Sequence, residues 1–189
     1  ELRINSEDRK NESLERRLKA SKIARLVPEK NITEGAFREA EYLAGESPRA
    51  VGIIVNRVAT AREIYRMLRE KHPNTPVELV IGSMRPIDRD EQARRLSDLI
   101  GHGRPERTAQ SSFVVSTQCL EVGADYDFDA LVTEAASLDA LRQRFGRLNR
   151  GGRPIVAHAA ILIDEKSIKE EEKLDDAKPL DRIYGNAAV

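Results

Sequence analysis

The chain has 189 residues, 40% of them hydrophobic and 34% charged, which is enough for one sizeable core and too little for two full domains. Its 32 basic and 32 acidic side chains cancel, so a globally basic nucleic-acid coat is excluded and any such contact must come from a local patch. One cysteine, Cys119, rules out a disulfide scaffold or a cysteine-based zinc cluster, the 3 histidines show no ligand spacing, and no apolar run is long enough to span a membrane.

The N-terminus is polar, so it is no signal peptide, and it lacks an initiator Met. The expectation is a piece of a longer protein in a reducing, cytoplasmic compartment. Residues 8–26 carry charges of both signs with Leu14, Leu18, Ile23 and Leu26 at loosely helical spacing, so segment 1–30 is expected to be an exposed helix or a flexible linker. After Pro28, Thr33 is placed to cap a helix through Phe37, Ala40 and Leu43 that Gly45 ends.

From residue 50 strands and helices alternate. The β-branched run over 50–56 predicts a buried parallel strand, and a helix through Ala61, Ile64 and Leu68 follows until Pro73 and Pro76 break it. Residues 77–81 form the next strand and 88–100 a helix through Ala93, Leu96 and Ile100. The stretch 101–112 is polar and loop-like. Two further strands, 113–116 and 130–133, a helix over 138–148 and a last strand, 159–163, complete the pattern. Such alternation predicts an α/β, three-layer unit over 31–164, with a mostly parallel sheet flanked by helices, and 165–189 is a charged linker. In such folds ligands sit at the carboxyl ends of the strands.

Polar residues do follow each strand. Asn56 and Arg57 open a helix, where backbone N–H groups can seat a phosphate, although Asn56 reads equally as an ordinary cap. Gly82-Ser83-Met84-Arg85-Pro86 offers a hydroxyl and an arginine to a sugar–phosphate backbone; the rival reading is a Pro-started helix with solvated arginines. In Ser116-Thr117-Gln118-Cys119, with Gly123 and Asp125 beyond, Thr117 can donate to a phosphate. Gly123 lets a ligand approach the backbone, and Asp125 can accept from a ribose hydroxyl. The aspartates at 125, 127 and 129 lack the glycine and closing glutamate of a calcium loop, so no metal is expected there. Cys119, with no histidine near it in sequence, reads as a small buried filler.

The strongest signal is Gln143-Arg144-Phe145-Gly146-Arg147-Leu148-Asn149-Arg150. At roughly 100° per helical residue, Leu138, Leu141, Phe145 and Leu148 share one face and Gln143, Arg147 and Arg150 the opposite one. Between Asp139 and Asp164 no acidic residue occurs, whereas Arg142, Arg144, Arg147, Arg150 and Arg153 all lie there. An uncompensated arginine cluster calls for an anion, although a solvated basic face has the same pattern. Forked guanidinium donors suit the charge that develops on a transferring phosphoryl group.

These motifs, in this order, resemble the second RecA-like domain of superfamily 2 helicases, whose Q-R-x-G-R-x-x-R motif is matched by Gln143 to Arg150. The details look closest to the CRISPR-associated nuclease–helicase of type I interference systems, through Ile-Ile-Val-Asn56-Arg57, Thr117-Gln118-x-x-Glu121-x-Gly123-x-Asp125, Asn149-Arg150 and Ile183-Tyr184-Gly185. The resemblance implies a RecA-like fold and an ATP-dependent translocase that unwinds target DNA for nuclease degradation. Arg147 and Arg150, with Gln143, would act as catalytic fingers, and Gly123, Asp125 and Arg144 would lie beside the nucleotide. Asn56, Arg57, Ser83, Arg85, Thr117 and Gln118 would line a single-stranded DNA track.

No Gly-Lys-Ser/Thr loop and no acidic Asp-Glu-x-Asp/His motif is present. ATP and magnesium are therefore expected on a first RecA-like domain outside this chain, and the chain alone is expected to be inactive. The other implied partners are an HD nuclease domain or subunit and the RNA-guided CRISPR surveillance complex, with no membrane. Two alternatives stay open: another superfamily 2 RNA or DNA helicase or translocase, and a non-enzymatic nucleic-acid-binding module of RecA-like fold.

Overall fold

The computed structural model describes residues 11–45, 49–82, 86–101, 110–121 and 125–167, with the backbone alone at 86–90, 120 and 121. In chain order the elements are α1 (Glu12–Lys19), β1 (Lys22–Glu29), α2 (Ile32–Ala44), β2 (Ala50–Ile54), α3 (Val58–Lys71), β3 (Val77–Val80), α4 (Pro86–Ile100), β4 (Ser112–Ser116), β5 (Ala130–Glu134), α5 (Leu138–Phe145) and β6 (Ala157–Asp164). They build a six-stranded sheet in the order β1-β6-β5-β2-β4-β3, and every paired neighbour is parallel. No helix among the described residues is long and apolar enough to cross a membrane.

Alternation along the strands creates two cores. Val51, Ile53, Phe113, Val115 and Val132 point to one face, where Ala40, Leu43, Ile64 and Leu68 of α2 and α3 cover them. Val114 packs under Leu96 and Ile100 of α4 on the other face, and beside it Ile54, Leu131 and Ala159 meet Leu148 and Phe145. β2 and β4 are buried along their whole length, as parallel strands covered on both faces should be. The expected three-layer architecture is the observed one.

Gly52 in β2 lets the Phe128 ring lie on the strand, since a Cβ there would stand 2.9 Å from two ring carbons. Phe128 is wholly buried, so neither group can yield cheaply. Gly52→Ala should therefore cost about 1–3 kcal/mol of stability through overpacking. Thermal melting checks this, and an unchanged midpoint would mean that the ring has room to retreat.

Three expectations are corrected. A strand, Lys22–Glu29, lies inside the segment read as helical or flexible. It is an edge strand with one buried residue, Val27, so it carries no hydrophobic alternation, and Pro28 and charged side chains suit an edge that must not recruit another strand. Ion pairs Arg25–Glu39 and Arg38–Glu29 tie it to α2. Second, α2 is capped by Asn31 and not by Thr33: the Asn31 side-chain oxygen accepts from Thr33 N at 3.0 Å and Glu34 N at 3.4 Å. Third, α5 stops at Phe145, three residues before the expected end. Leu138, assigned to its apolar face, is 75% exposed.

Candidate functional site

The site residues divide between two ends of the sheet. At the carboxyl ends, Val55 N donates to Ser116 O at 3.0 Å, so Asn56 and Thr117 follow neighbouring strands side by side. Arg57 and Gln118 are exposed there, whereas Thr117 is buried. Cys119 is exposed, with its thiol 3.1 Å from Val80 O, and not the buried filler expected from sequence. Ser83, Arg85 and Gly123 lie outside the described residues.

The arginines lie elsewhere. After α5 the chain tightens into a turn, with Arg147 N bonded to Arg144 O at 3.0 Å and Leu148 N to Phe145 O at 3.2 Å. The turn docks on the residues that precede β5: Phe128 N donates to Arg147 O and Asn149 N to Phe128 O, both at 2.8 Å. Asn149 has φ 41°, a left-handed conformation that asparagine tolerates. Its side chain closes the following loop on Arg153 N at 2.8 Å and Arg153 O at 3.1 Å. Arg147 and Arg150 therefore sit at the amino ends of β5 and β6. They lie beyond the helix, so the predicted face shared by Gln143, Arg147 and Arg150 does not exist. Gln143 is exposed on α5 itself, while Arg147 is only 8% exposed.

Nor is the arginine cluster uncompensated. The three aspartates that precede β5 are the counter-ions of Arg150 and Arg153, supplied from upstream in the sequence. Asp125 pairs with the Arg150 guanidinium. Buried Asp127 accepts from Arg150 N at 2.8 Å, Gly151 N at 3.3 Å and Arg153 Nε at 3.1 Å. Asp129 accepts from Arg153 and, at 2.7 Å, from Ala50 N at the start of β2. Asp127 thus holds the backbone of the turn while Arg153 and Asp129 bolt it to the sheet. The Arg153 side chain is only 9% exposed, which opposes its charge, but the two carboxylates more than offset this and hold its pKa above the usual guanidinium value.

Sequence reasoning did not single out Lys22 either. From β1 it donates to Phe145 O at 2.9 Å, capping the last turn of α5. Burial pulls its pKa down, Asp127 opposes that, and Arg150 adds to it. Arg147 is also held below the usual guanidinium value, by burial first and then by the neighbouring Arg150. An arriving anion would relieve this repulsion, so the chemistry of the turn fits phosphate oxygens. Among the described residues no group of three His, Cys, Asp or Glu side chains is arranged to hold a metal ion.

Arg144, assigned to the nucleotide from sequence, is 2% exposed. Its guanidinium donates to Thr133 Oγ1 and Glu134 O, both at 2.9 Å, and to Asn56 Oδ1 at 3.1 Å. Asn56 in turn donates from Nδ2 to Ala135 O and from its backbone N to Glu134 Oε2, both at 2.8 Å. The structure therefore joins Asn56 to Arg144, and Asp125 to Arg150.

A parallel sheet covered on both faces, with polar strand ends at one pole and an arginine turn at the other, has the RecA-like fold. Domain 2 of the DEAD-box helicase Mss116p, solved bound to an RNA duplex, shares this fold with a TM-score of 0.58 and 18% identity, over 83% of this chain and 59% of that one. The chain belongs to the Cas3-like C-terminal family, described as CRISPR-associated nuclease/helicase Cas3, C-terminal, whose model matches residues 47–153. The CRISPR-associated endonuclease/helicase Cas3 of Thermus thermophilus is 33% identical over 188 residues, covering 77% of this chain and 20% of the relative. The T. fusca Cas3-ADP crystal structure superposes with a TM-score of 0.62 at 23% identity, over 77% of this chain and 18% of that one. The chain spans about a fifth or less of the length of the curated relatives it matches.

Proposed function

We propose that this chain is the second motor half of an ATP-dependent single-stranded-DNA translocase that unwinds target DNA for nuclease degradation in type I CRISPR interference. The observation that carries this reading is the arginine turn. Two neighbouring guanidiniums, one of them depressed in pKa by burial and by the other, stand on a turn whose backbone buried Asp127 holds, in a member of the Cas3 C-terminal family. Arg147 and Arg150 would face ATP bound on a first RecA-like domain, where their forks reach phosphoryl oxygens and offset charge that develops in the transition state. ATP supplies the phosphoryl group, and magnesium would be held by that first domain. Asp125, paired with Arg150 in this structure, would accept from the ribose once Arg150 turns to phosphate, with Gln143 and Gly123 beside the nucleotide.

At the opposite pole Thr117, Gln118 and Arg57, with Ser83 and Arg85, would follow the DNA backbone. An HD nuclease domain or subunit and the RNA-guided surveillance complex would be the partners, in the cytoplasm. The test is ATP hydrolysis by the full-length protein and by this chain alone. Single-stranded DNA should stimulate the full-length protein more than RNA does, and the isolated chain should show no magnesium-dependent turnover. Stimulation by RNA alone, or turnover by the isolated chain that Arg147→Ala abolishes, would refute the reading.

A further inference from the structure

The hydrogen bonds around Arg144 link the two poles of the domain. Arg144 lies near the end of α5, three and six residues before Arg147 and Arg150, yet its guanidinium reaches back to the carboxyl end of β5. There it meets Asn56, two residues past the end of β2, where the turn into Arg57 and α3 starts. Both ends of the Asn56 amide are engaged inside the domain, Oδ1 by Arg144 and Nδ2 by Ala135 O. Thr133 is fully buried and offers its hydroxyl oxygen to Arg144, and the Glu134 carboxylate holds the Asn56 backbone N–H. The buried Arg144 guanidinium is the stiff centre of this network, because each of its N–H groups that lost a partner would be stranded in a poorly solvated place.

We infer that Thr133 and Glu134 are positioning residues: with Asn56 and Arg144 they form a rigid tie that carries the state of the DNA-facing strand ends to the arginine turn. Neither Thr133 nor Glu134 touches nucleotide or DNA in this scheme. Asn56 and Arg144, which the sequence motifs place at the ligands, act through the tie as well. A strand pulled against Arg57 and Thr117 shifts the β2–α3 turn, and through Asn56 and Arg144 it shifts the end of α5, from which the two fingers hang. The inference rests on the proposed motor function, because it needs a DNA-facing end and an ATP-facing end.

The experiment compares Thr133→Val, Thr133→Ser and Glu134→Ala in the full-length protein, with ATP turnover measured against ATP and against a single-stranded oligonucleotide. Valine keeps the shape of threonine and removes the oxygen that Arg144 donates to; serine keeps the oxygen. Thr133→Val should lower the DNA-stimulated kcat about tenfold, the usual size of coupling between sites. KM for ATP, the oligonucleotide concentration at half-stimulation and the unstimulated rate should stay at parent values, and Thr133→Ser should restore the stimulated kcat. A merely structural role would not produce this split. Full stimulation of Thr133→Val, or a rise in the half-stimulating DNA concentration that accounts for the loss, overturns the tie. If Thr133→Val does not fold, Glu134→Ala decides by the same criteria. If the parent itself shows no stimulation by DNA, the motor reading has failed and the tie falls with it, an outcome distinct from a stimulated parent with an equally stimulated variant.

Discussion

Arg150→Lys in the full-length protein should reduce ATP turnover by on the order of 10³-fold while leaving the domain folded. Lysine keeps the positive charge and can still meet Asp125, so what disappears is the planar fork that engages two phosphoryl oxygens at once. The Arg150 side chain is 38% exposed, and an exposed pair such as Arg150–Asp125 contributes at most about 1 kcal/mol to stability. The thermal midpoint should therefore move by a few degrees at most. Arg147→Lys should abolish turnover to a similar extent but melt lower, because the buried Arg147 has packing to lose. Both arginines looked equally exposed from helical spacing, so a difference between the two melting curves is specific to the observed turn. Turnover at the parent rate in a folded Arg150→Lys protein would remove the finger role.

Arg153→Met carries the largest expected effect on stability. The Arg153 side chain, 9% exposed, lies between buried Asp127 and Asp129, and its removal takes from both carboxylates the guanidinium they share. Breaking a buried pair by deleting one partner costs about 3–5 kcal/mol, which is roughly 10 °C or more in melting temperature for a domain of this size. Arg153→Lys should fall between, since one ammonium cannot span Asp127 Oδ2 and Asp129 as the guanidinium does. Differential scanning calorimetry of the three proteins decides it. A methionine variant that melts with the parent would show that the clamp is ornamental and that Asp127 needs only the backbone N–H groups of Arg150 and Gly151.

Most of the sheet was legible because central strands of a covered parallel sheet are apolar runs of β-branched residues, as 50–54, 113–116 and 130–133 are. β1 was not, for the reason that makes it an edge: with neighbours on one side only, it can keep Lys22, Arg25 and Glu29. The motif itself was legible, its geometry was not. Leu148 continues the helical period of Leu141 and Phe145, but it reaches the core from a turn that bridges to Phe128, so periodicity extended α5 too far. A count of charges after Asp139 likewise missed Asp125, Asp127 and Asp129, because pairing across a turn and a strand is a tertiary fact that sequence distance conceals. The tie between Asn56 and Arg144 spans 88 positions and no local rule announces it.

The parallel pairing of the first strand with the last, from Lys22 beside Ala157 to Glu29 beside Asp164, has a mechanical consequence. Chain arriving at Lys22 reaches the arginine pole, and chain leaving at Asp164 departs from the opposite pole, about 25 Å away at the rise of a parallel strand. Tension between the chain before Lys22 and the chain after Asp164 would therefore run along the two strands and not across them. It would load all eight register pairs together in shear, where peeling would open them one at a time. The seam between β1 and β6 is thereby built to resist a pull along its strands, the direction in which the proposed motor function would load it.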